Sequence, residues 1–280
     1  MNNIKTKIRI LSVFMVALLG VNNNLALADT ESHECLIEPM VVAQVGSQTQ
    51  GVVDELLVDR GETVKKGQAI ARLKSTVEQA NLQQAQTRAT MKSEINARHA
   101  DLKLATQTLN RMKSLHAKNL APAQHKDEAE AQLRVATAAL TQAQENYELL
   151  QLDLTRAVNL LDQRTIVSPI DGVVVELQTF PGEFIYENPV MTIAQLHPLR
   201  VEVFLPGRLF NQYVKGDKAK VQAELDDGQL TAVVDVVDPL LDTSSGTYGV
   251  RLLLPNSDRT ITSGQKCQLE FSSTVASAEQ

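Results

Sequence analysis

The chain has 280 residues, a formal net charge of -6 and no basic block, which argues against a nucleic-acid partner. Aromatic residues make up only 4% of the chain, although 43% of its residues are apolar. Much of the apolar content is alanine, leucine and valine, a composition that favours thin, repetitive packing over one large globular core.

Residues 1–28 have the pattern of a secretory signal peptide. Three basic residues, Lys5, Lys7 and Arg9, precede an apolar run over 10–21, and the sequence LALA follows at 25–28. This small-x-small end is the type that signal peptidase cleaves. Because the apolar run is shorter than the ~20 residues of a membrane-spanning helix, cleavage is favoured over a retained anchor. We therefore expect an exported protein.

The two cysteines lie near opposite ends of the chain. Cys35 is in a short N-terminal segment, 29–38, and Cys267 lies close to the C-terminus. In an oxidising compartment they can form a disulfide, because the first and last strands of a closed fold are often neighbours. The alternative is two independent small apolar residues in strands. With no CxxC motif and no histidine cluster of metal-ligand spacing, we expect no metal site and no cofactor.

An internal repeat organises the chain. Gly51–Leu56, GVVDEL, matches Gly172–Leu177, GVVVEL, and at equal distances downstream each copy has a Gly-Glu pair, 61–62 and 182–183. Runs of β-branched residues between glycines and charged turns predict short strands. One copy buries too little to be stable alone, so we expect the two, 39–75 and 164–197, to pack together in one β-sandwich.

The segment between the copies, 76–163, is predicted to be helical, since it has no glycine and one proline. Its second half has apolar residues at alternating spacings of four and three, which is a heptad seam. The seam residues are Ala129, Leu133, Ala136, Leu140, Ala143, Tyr147, Leu150, Leu154, Ala157 and Leu161.

The first half of this segment is helical but less regular, because Arg88 and Arg98 interrupt its apolar pattern. Residues 118–122, ending in Pro122, have the composition of a turn. We therefore predict an antiparallel hairpin with arms of roughly forty residues, or about 60 Å at 1.5 Å per residue.

The region after the second copy, 198–272, contains strand-like runs such as Leu199–Leu205 and Gln229–Val237, with Gly, Asp and Pro at the joints. About four to six strands in this length predict a small antiparallel barrel. Residues 273–280 are predicted to be a tail.

The same patterns disfavour two other functions. A lipoyl or biotin carrier needs a lysine on a tight hairpin between the two halves, but here the helical segment occupies that junction and Lys74 is not at a turn tip. A hydrolase is disfavoured because the chain has no GxSxG motif and no His-Asp-Ser set, and Asp235, Asp238 and Asp242 are more simply solvated loop residues. We expect no catalytic residue and no enzymatic activity.

The order of half-motif, long hairpin, matching half-motif and barrel resembles the periplasmic adaptor, or membrane fusion protein, family (HlyD-like). The similarity covers about 39–271, and its most specific stretches are Gly51–Leu56, Arg60–Gly67 and Thr165–Val174. In the barrel, Ser245–Leu252 with Leu254–Asn256 look like the adaptors of resistance-nodulation-division transporters.

This resemblance implies an α+β multidomain fold. A long antiparallel α-helical coiled-coil hairpin would be inserted in a lipoyl-like β-sandwich (barrel-sandwich hybrid), followed by a small antiparallel β-barrel. It also implies a periplasmic adaptor, peripheral to the inner membrane, that links an inner-membrane transporter to a TolC-like outer-membrane channel and assembles in rings of six. The alternatives are an adaptor for an ABC-type exporter and a periplasmic coiled-coil scaffold with no role in transport.

The resemblance places a docking site at the hairpin tip. The family pattern is an arginine, a leucine four residues later and a serine seven residues after that. Arg111 and Leu115 match, whereas Pro122 stands where the serine is expected, so the serine's hydrogen bond is not predicted. The expected site for the outer-membrane channel consists of Arg111, Leu115, Leu120 and Pro122; the alternative for Arg111 is a solvated helix residue.

Overall fold

The computed structural model describes residues 31–225 and 228–272. The predicted signal peptide, 1–28, and the predicted tail, 273–280, lie outside the described residues. In chain order the elements are β1 (Ser32–Val45), β2 (Gly51–Leu56), β3 (Thr63–Val64), β4 (Ala69–Leu73), α1 (Thr76–Thr90), α2 (Ser93–Ala117), α3 (Ala123–Asp162), β5 (Thr165–Val167), β6 (Gly172–Leu177), β7 (Phe184–Ile185), β8 (Met191–Pro206), a 3-10 helix (Gly207–Leu209), β9 (Lys218–Ala223), β10 (Gln229–Val237), β11 (Thr247–Leu254) and β12 (Gln265–Phe271).

The two sequence repeats form matching halves of one β-sandwich, related by an approximate two-fold axis. Strand β2 pairs with β7, where Gly51 lies opposite Ile185. Strand β6 pairs with β3 in the same way, where Gly172 lies opposite Val64. These residues occupy equivalent positions of the two copies, so each half supplies a strand to the other half.

The turn of each half is likewise hydrogen-bonded to a strand of the other half. The N–H of Gly61 donates to Val174 O, and the N–H of Gly182 donates to Val53 O, both at 2.8 Å. Both glycines have a positive φ, 87° and 92°, which a residue with a Cβ adopts only at a cost. Since each half satisfies backbone groups of the other, neither half has a complete set of hydrogen bonds alone.

The two halves share one apolar interior. The equivalent pairs Val53 with Val174 and Val64 with Ile185 are all buried. Other buried side chains of this core are Val45, Val58, Ile70, Leu73, Ile166, Val190, Met191 and Ile193. The packing of both copies into one sandwich is as predicted.

The second β unit is a closed antiparallel barrel of six strands. Its order is β1-β12-β9-β10-β11-β8, and β8 pairs again with β1 to close it. The predicted separation of the N-terminal segment, 29–38, from the barrel is wrong. Cys35 and Ile37 are buried while Glu34 and Leu36 are exposed, the alternation of a half-buried strand, so this segment supplies the sixth strand.

Strands β1 and β8 belong to both β units. They pair with each other from Cys35–Val203 in the barrel to Val45–Met191 in the sandwich, with a register shift near Pro39. The predicted boundary at 197–198 therefore falls inside a continuous strand. A two-stranded ribbon joins the barrel to the sandwich without a linker.

Cys35 and Cys267 are joined by a disulfide of 2.08 Å. They are direct partners in the pairing of β1 with β12. The bond therefore connects the N-terminal strand of the barrel to its C-terminal strand, the neighbour relation on which the sequence-based expectation depended.

The helical insertion is a hairpin in which α3 packs against both α2 and α1. Helix α3 has 40 residues. All ten predicted seam residues are buried or half-buried in it, and most residues between them are exposed. The spacing in the sequence thus identified the face of α3 that contacts the first arm.

The first arm is broken between α1 and α2, where Met91 has an extended conformation with ψ 104°. Just before the break, the hydroxyls of Thr87 and Thr90 donate to backbone carbonyls of the preceding turn, a contact that often bends helices. The side chain of Gln151 on α3 donates to the carbonyl of Ala89 at 2.8 Å. The first arm, predicted to be helical but less regular, thus consists of two helices, and a residue from the opposite arm satisfies a backbone carbonyl at the break between them.

No helix in the described part of the chain is both long enough and apolar enough to cross a bilayer.

Candidate docking site at the hairpin tip

The tip is a compact turn, 118–122, between α2 and α3. Asn119 has a φ of 55°, in the left-handed region that asparagine tolerates better than most residues. The N–H of Leu120 donates to Leu115 O at 2.9 Å, and the Nδ1 of His116 lies 3.0 Å from Ala121 O. These contacts close the turn from both sides.

The structure brings the four predicted site residues to this end of the hairpin. Arg111 and Leu115 are four residues apart on α2 and therefore lie on one helix face; Arg111 is exposed and Leu115 half-buried. Leu120 is at the apex and is 71% exposed. Pro122 is exposed at the N-cap of α3. An exposed leucine on an ordered turn is available for a contact with another protein.

The charges near the tip are unevenly paired. Lys113 on α2 faces Glu130 on α3 at 3.8 Å, and His125 faces Glu128 at 3.6 Å. Among the described residues, Arg111 has neither a hydrogen bond nor an ion pair from its side chain. Its guanidinium is therefore free to bind an acceptor on another molecule.

The base of the hairpin has an anchor that no sequence pattern predicted. Arg164, just after α3, donates to Glu78 of α1 at 2.6 Å and to the carbonyl of Gln50 at 2.8 Å. The side chains of Arg164 and Glu78 are only 21% and 16% exposed. The ion pair connects both arms to the sandwich and so fixes the direction of the hairpin. Its partners are far apart in sequence, and no local pattern predicts them.

Two of the three carboxylates considered for catalysis, Asp235 and Asp242, have structural partners. Asp235 accepts a hydrogen bond from Lys215 at 2.8 Å. Asp242 accepts the N–H of Ser244 at 2.7 Å, and such backbone hydrogen bonds lower the pKa of Asp242. A carboxylate that is held ionised in this way stabilises a turn and is a poor proton donor.

Two residues of the barrel motif, Tyr248 and Asn256, form hydrogen bonds inside the barrel. The hydroxyl of buried Tyr248 donates to Leu209 O at 2.8 Å. The side chain of buried Asn256 donates to the carbonyls of Leu196 and Ile261, both at 3.0 Å. These motif residues stabilise the barrel, so any contact of the barrel with another protein must use other side chains.

The chain is similar in sequence to known export and resistance proteins. Residues 41–195 match the family described as CzcB-like, barrel-sandwich hybrid domain. The macrolide export protein MacA of Yersinia pestis is 29% identical over 77% of this chain and 60% of its own length. The cobalt-zinc-cadmium resistance protein CzcB of Cupriavidus metallidurans is 26% identical over 76% of this chain and 39% of its own. The multidrug efflux pump subunit AcrA of Escherichia coli K12 is 24% identical, with coverages of 80% and 57%. The chain thus spans about half the length of these relatives.

Solved structures share the fold. MacA from Actinobacillus actinomycetemcomitans superimposes with a TM-score of 0.74 at 22% identity, covering 86% of this chain and 78% of MacA. The membrane fusion protein Spr0693 from Streptococcus pneumoniae R6 gives a TM-score of 0.58 at 18% identity, covering 87% and 99%.

The family match includes the whole helical hairpin and most of both halves of the sandwich, which is more than half of the chain. The paired halves, the inserted hairpin and the closed barrel are the architecture found in the superimposed structures. The chain therefore belongs to the CzcB-like barrel-sandwich hybrid family, the membrane fusion or periplasmic adaptor proteins.

Proposed function

We propose that this protein is the periplasmic adaptor subunit of a tripartite efflux pump and links an inner-membrane transporter to a TolC-like outer-membrane channel. The observation that carries the proposal is the hairpin. It is about 60 Å long at 1.5 Å per residue, is anchored at its base by Arg164, and presents the exposed Leu120 at its tip. A rod of this kind bridges two partners, and relatives named for export and efflux support the assignment.

The two arms act as an antiparallel coiled coil in this proposal. The seam of α3 supports it, because leucine and alanine alternate along much of its length and alanine permits close approach of the facing helix. The role of the hairpin is then geometric. Six copies would stand side by side and enclose a conduit, with no catalytic step and no cofactor in this subunit.

The proposed location is the periplasm, reached by cleavage of the predicted signal peptide. The disulfide between Cys35 and Cys267 supports an oxidising compartment. We propose a resistance-nodulation-division transporter as the inner-membrane partner, because Ser245–Leu252 and Leu254–Asn256 resemble the adaptors of that type. Co-purification of the barrel with a transporter of that type, rather than with an ABC-type exporter, is the expected result.

The experiment that tests the adaptor role is crosslinking in cells from a photoreactive residue placed at Leu115. Capture of an outer-membrane channel is the expected result, since Leu115 lies beside the tip and is only half-buried. Capture of nothing but other copies of this chain would contradict the proposal and leave a periplasmic scaffold.

Charge reversal at the tip, Arg111→Asp, is predicted to weaken capture of the channel and to impair efflux. Loss of one charge-assisted contact corresponds to about 1.4 kcal/mol, or roughly a tenfold fall in affinity. Arg134→Asp is the matched control, because Arg134 is an exposed arginine on α3 away from the tip. Both variants should retain the helical circular dichroism of the wild type. Equal efflux in the two variants would remove Arg111 from the site.

A further inference from the structure

Three of the few aromatic residues in the chain lie close together around β7 and project into solvent. Phe180, Phe184 and Tyr186 are 59%, 62% and 65% exposed. The chain has only six phenylalanines, four tyrosines and no tryptophan, so this concentration within seven residues is conspicuous. Exposed aromatic rings in a cluster indicate a surface that another molecule covers.

The other half of the sandwich is an internal control for this cluster. At the equivalent positions it has Asp59, Thr63 and Lys65, all exposed. The two turns have the same backbone: Glu62 N–H donates to Asp59 O, and the equivalent N–H in the second half donates to Phe180 O, both at 3.1 Å. Since polar residues build an identical turn, the aromatic side chains are not needed for folding.

The two turns lie at opposite ends of the sandwich. The polar turn lies at the barrel, where Arg259 donates a hydrogen bond to Thr63. The aromatic turn lies at the other end, because β7 pairs with the first residues of β2, and β2 begins where β4 continues into the hairpin. The rings therefore protrude beside the base of the hairpin, away from the barrel.

A groove lies at the opposite edge of the same sheet. The strand order is β5-β4-β2-β7, so β7 with its aromatic rings is one edge and β5 is the other. The groove has a volume of about 500 Å³. It is lined at the end of α3 and along β5 by Gly46, Gln48, Asp162, Gln163, Thr165, Ile166 and Val167, of which Val167 is 47% exposed.

We propose that the aromatic turn, Phe180 to Tyr186, of one copy docks in the β5-edge groove of the next copy. A projecting surface on one edge and a groove on the other make a head-to-tail contact, and such contacts repeat until a ring closes. The exposed edges of β7 and β5 also have backbone groups without partners in the sheet, which favours edge-to-edge contact. The inference depends on the proposed function only in that the pump contains several copies.

Charges and shape favour a protein partner over a lipid surface. Glu183 and Glu187 flank the aromatic rings; Glu183 is matched by Glu62 in the other half, whereas Glu187 stands where that half has the basic Lys66. Acidic side chains are repelled by an anionic membrane surface. The rings also project outward and line none of the larger cavities, so they are poorly placed to enclose a small ligand.

Cysteine crosslinking of the full-length chain tests this contact directly, because both native cysteines are already paired. In the variant Tyr186→Cys with Val167→Cys, the new cysteines lie at opposite edges of a four-stranded sheet. Three strand spacings of about 4.8 Å separate them by roughly 14 Å, whereas a disulfide requires Cα atoms within about 7 Å. Any disulfide between them must therefore join different copies.

The expected result under mild oxidation is a ladder of dimers, trimers and higher species on non-reducing gels. Each single variant should stop at the dimer, since one cysteine per copy cannot continue a chain. A double variant that also stops at the dimer, or stays monomeric, would overturn the proposal.

A triple variant replaces the three aromatic residues with the equivalent residues of the other half: Phe180→Asp, Phe184→Thr and Tyr186→Lys. Sedimentation velocity should show self-association weakened at least about tenfold. The control is Phe204→Ser, because Phe204 is 66% exposed on the barrel. An equal effect of the control contradicts the proposal. So does binding of the wild type, but not the triple variant, to phosphatidylglycerol vesicles, which would assign the rings to lipid.

The test of this docking contact and the test of the adaptor role can give different results. Capture of the channel from Leu115 without a ladder leaves the adaptor role and overturns only the docking contact. A ladder without capture of the channel supports the contact and contradicts the adaptor role.

Discussion

At the scale of single residues, equivalent positions in the two halves of the sandwich are packed differently. Gly51 and Gly172 begin equivalent strands. A Cβ at Gly172 would lie 2.5 Å from the backbone oxygen of Ala194, whereas a Cβ at Gly51 would lie 2.8 Å from a guanidinium nitrogen of Arg164. A carbonyl in a paired strand cannot move away, but the end of a long side chain can.

Alanine substitution should therefore affect the two glycines unequally. Gly172→Ala is predicted to lower the free energy of unfolding by about 2–3 kcal/mol, the usual size of an overpacking penalty. Gly51→Ala should cost about 1 kcal/mol or less, since Arg164 can shift. Urea unfolding of both variants measures the difference. Identical midpoints would mean that β6 can move away from β8.

At the scale of elements, the long helix α3 depends on its seam for stability. Helices α1 and α2 together have the same number of residues as α3, and both pack on it. Across the break between them, Gln151 bonds to the carbonyl of Ala89, and the ammonium of Lys92 lies 5.5 Å from the centre of the Tyr147 ring. The same face of α3 thus contacts both helices and holds the break.

Truncation of a seam leucine should destabilise the hairpin, and truncation of an outer leucine on the same helix should not. Leu140 is 8% exposed and Leu152 is 60% exposed. Leu140→Ala is predicted to cost about 2 kcal/mol or more, whereas Leu152→Ala should stay within about 0.5 kcal/mol. Thermal melts followed by circular dichroism at the helical band test this. A larger loss from Leu152→Ala would show that the outer face of α3 is the stabilising one.

At the scale of the whole molecule, the ribbon of β1 and β8 determines how the barrel sits on the sandwich. A single pair of strands continues through both units, and the hydrogen bond from Arg259 to Thr63 adds a second connection between them. The Arg164–Glu78 ion pair likewise connects the hairpin to the sandwich. The three parts are therefore joined by packed elements rather than by flexible linkers.

Spin labels on the two β units should accordingly report one narrow distance. Val175 on the sandwich and Leu240 on the barrel are 43% and 79% exposed and can carry labels on introduced cysteines. A pair within the barrel, Val214 and Leu240, gives the reference width of a rigid body. A distribution between the units that is much broader than this reference would contradict a continuous ribbon.

Much of the architecture follows from local sequence patterns. The repeated GVVDEL and GVVVEL motifs, the spacing of the α3 seam and the turn at 118–122 each depend on residues close together in the chain, and each is where the sequence predicted it. The placement of Arg111, Leu115, Leu120 and Pro122 near the tip follows from the same turn. Local patterns suffice here because strand alternation and helical periodicity report burial directly.

Other features were decided only by the tertiary structure. Ser32–Ile37 becomes a barrel strand because β12 and β8 provide partners on both sides, and its own short sequence does not show this. The break in the first arm depends on Gln151 from the opposite arm, and the hairpin anchor on an ion pair between Arg164 and Glu78. The aromatic turn and the β5-edge groove lie at opposite edges of one sheet because β4 and β2 lie between β5 and β7. All of these depend on contacts between residues distant in sequence, which periodicity and composition do not encode.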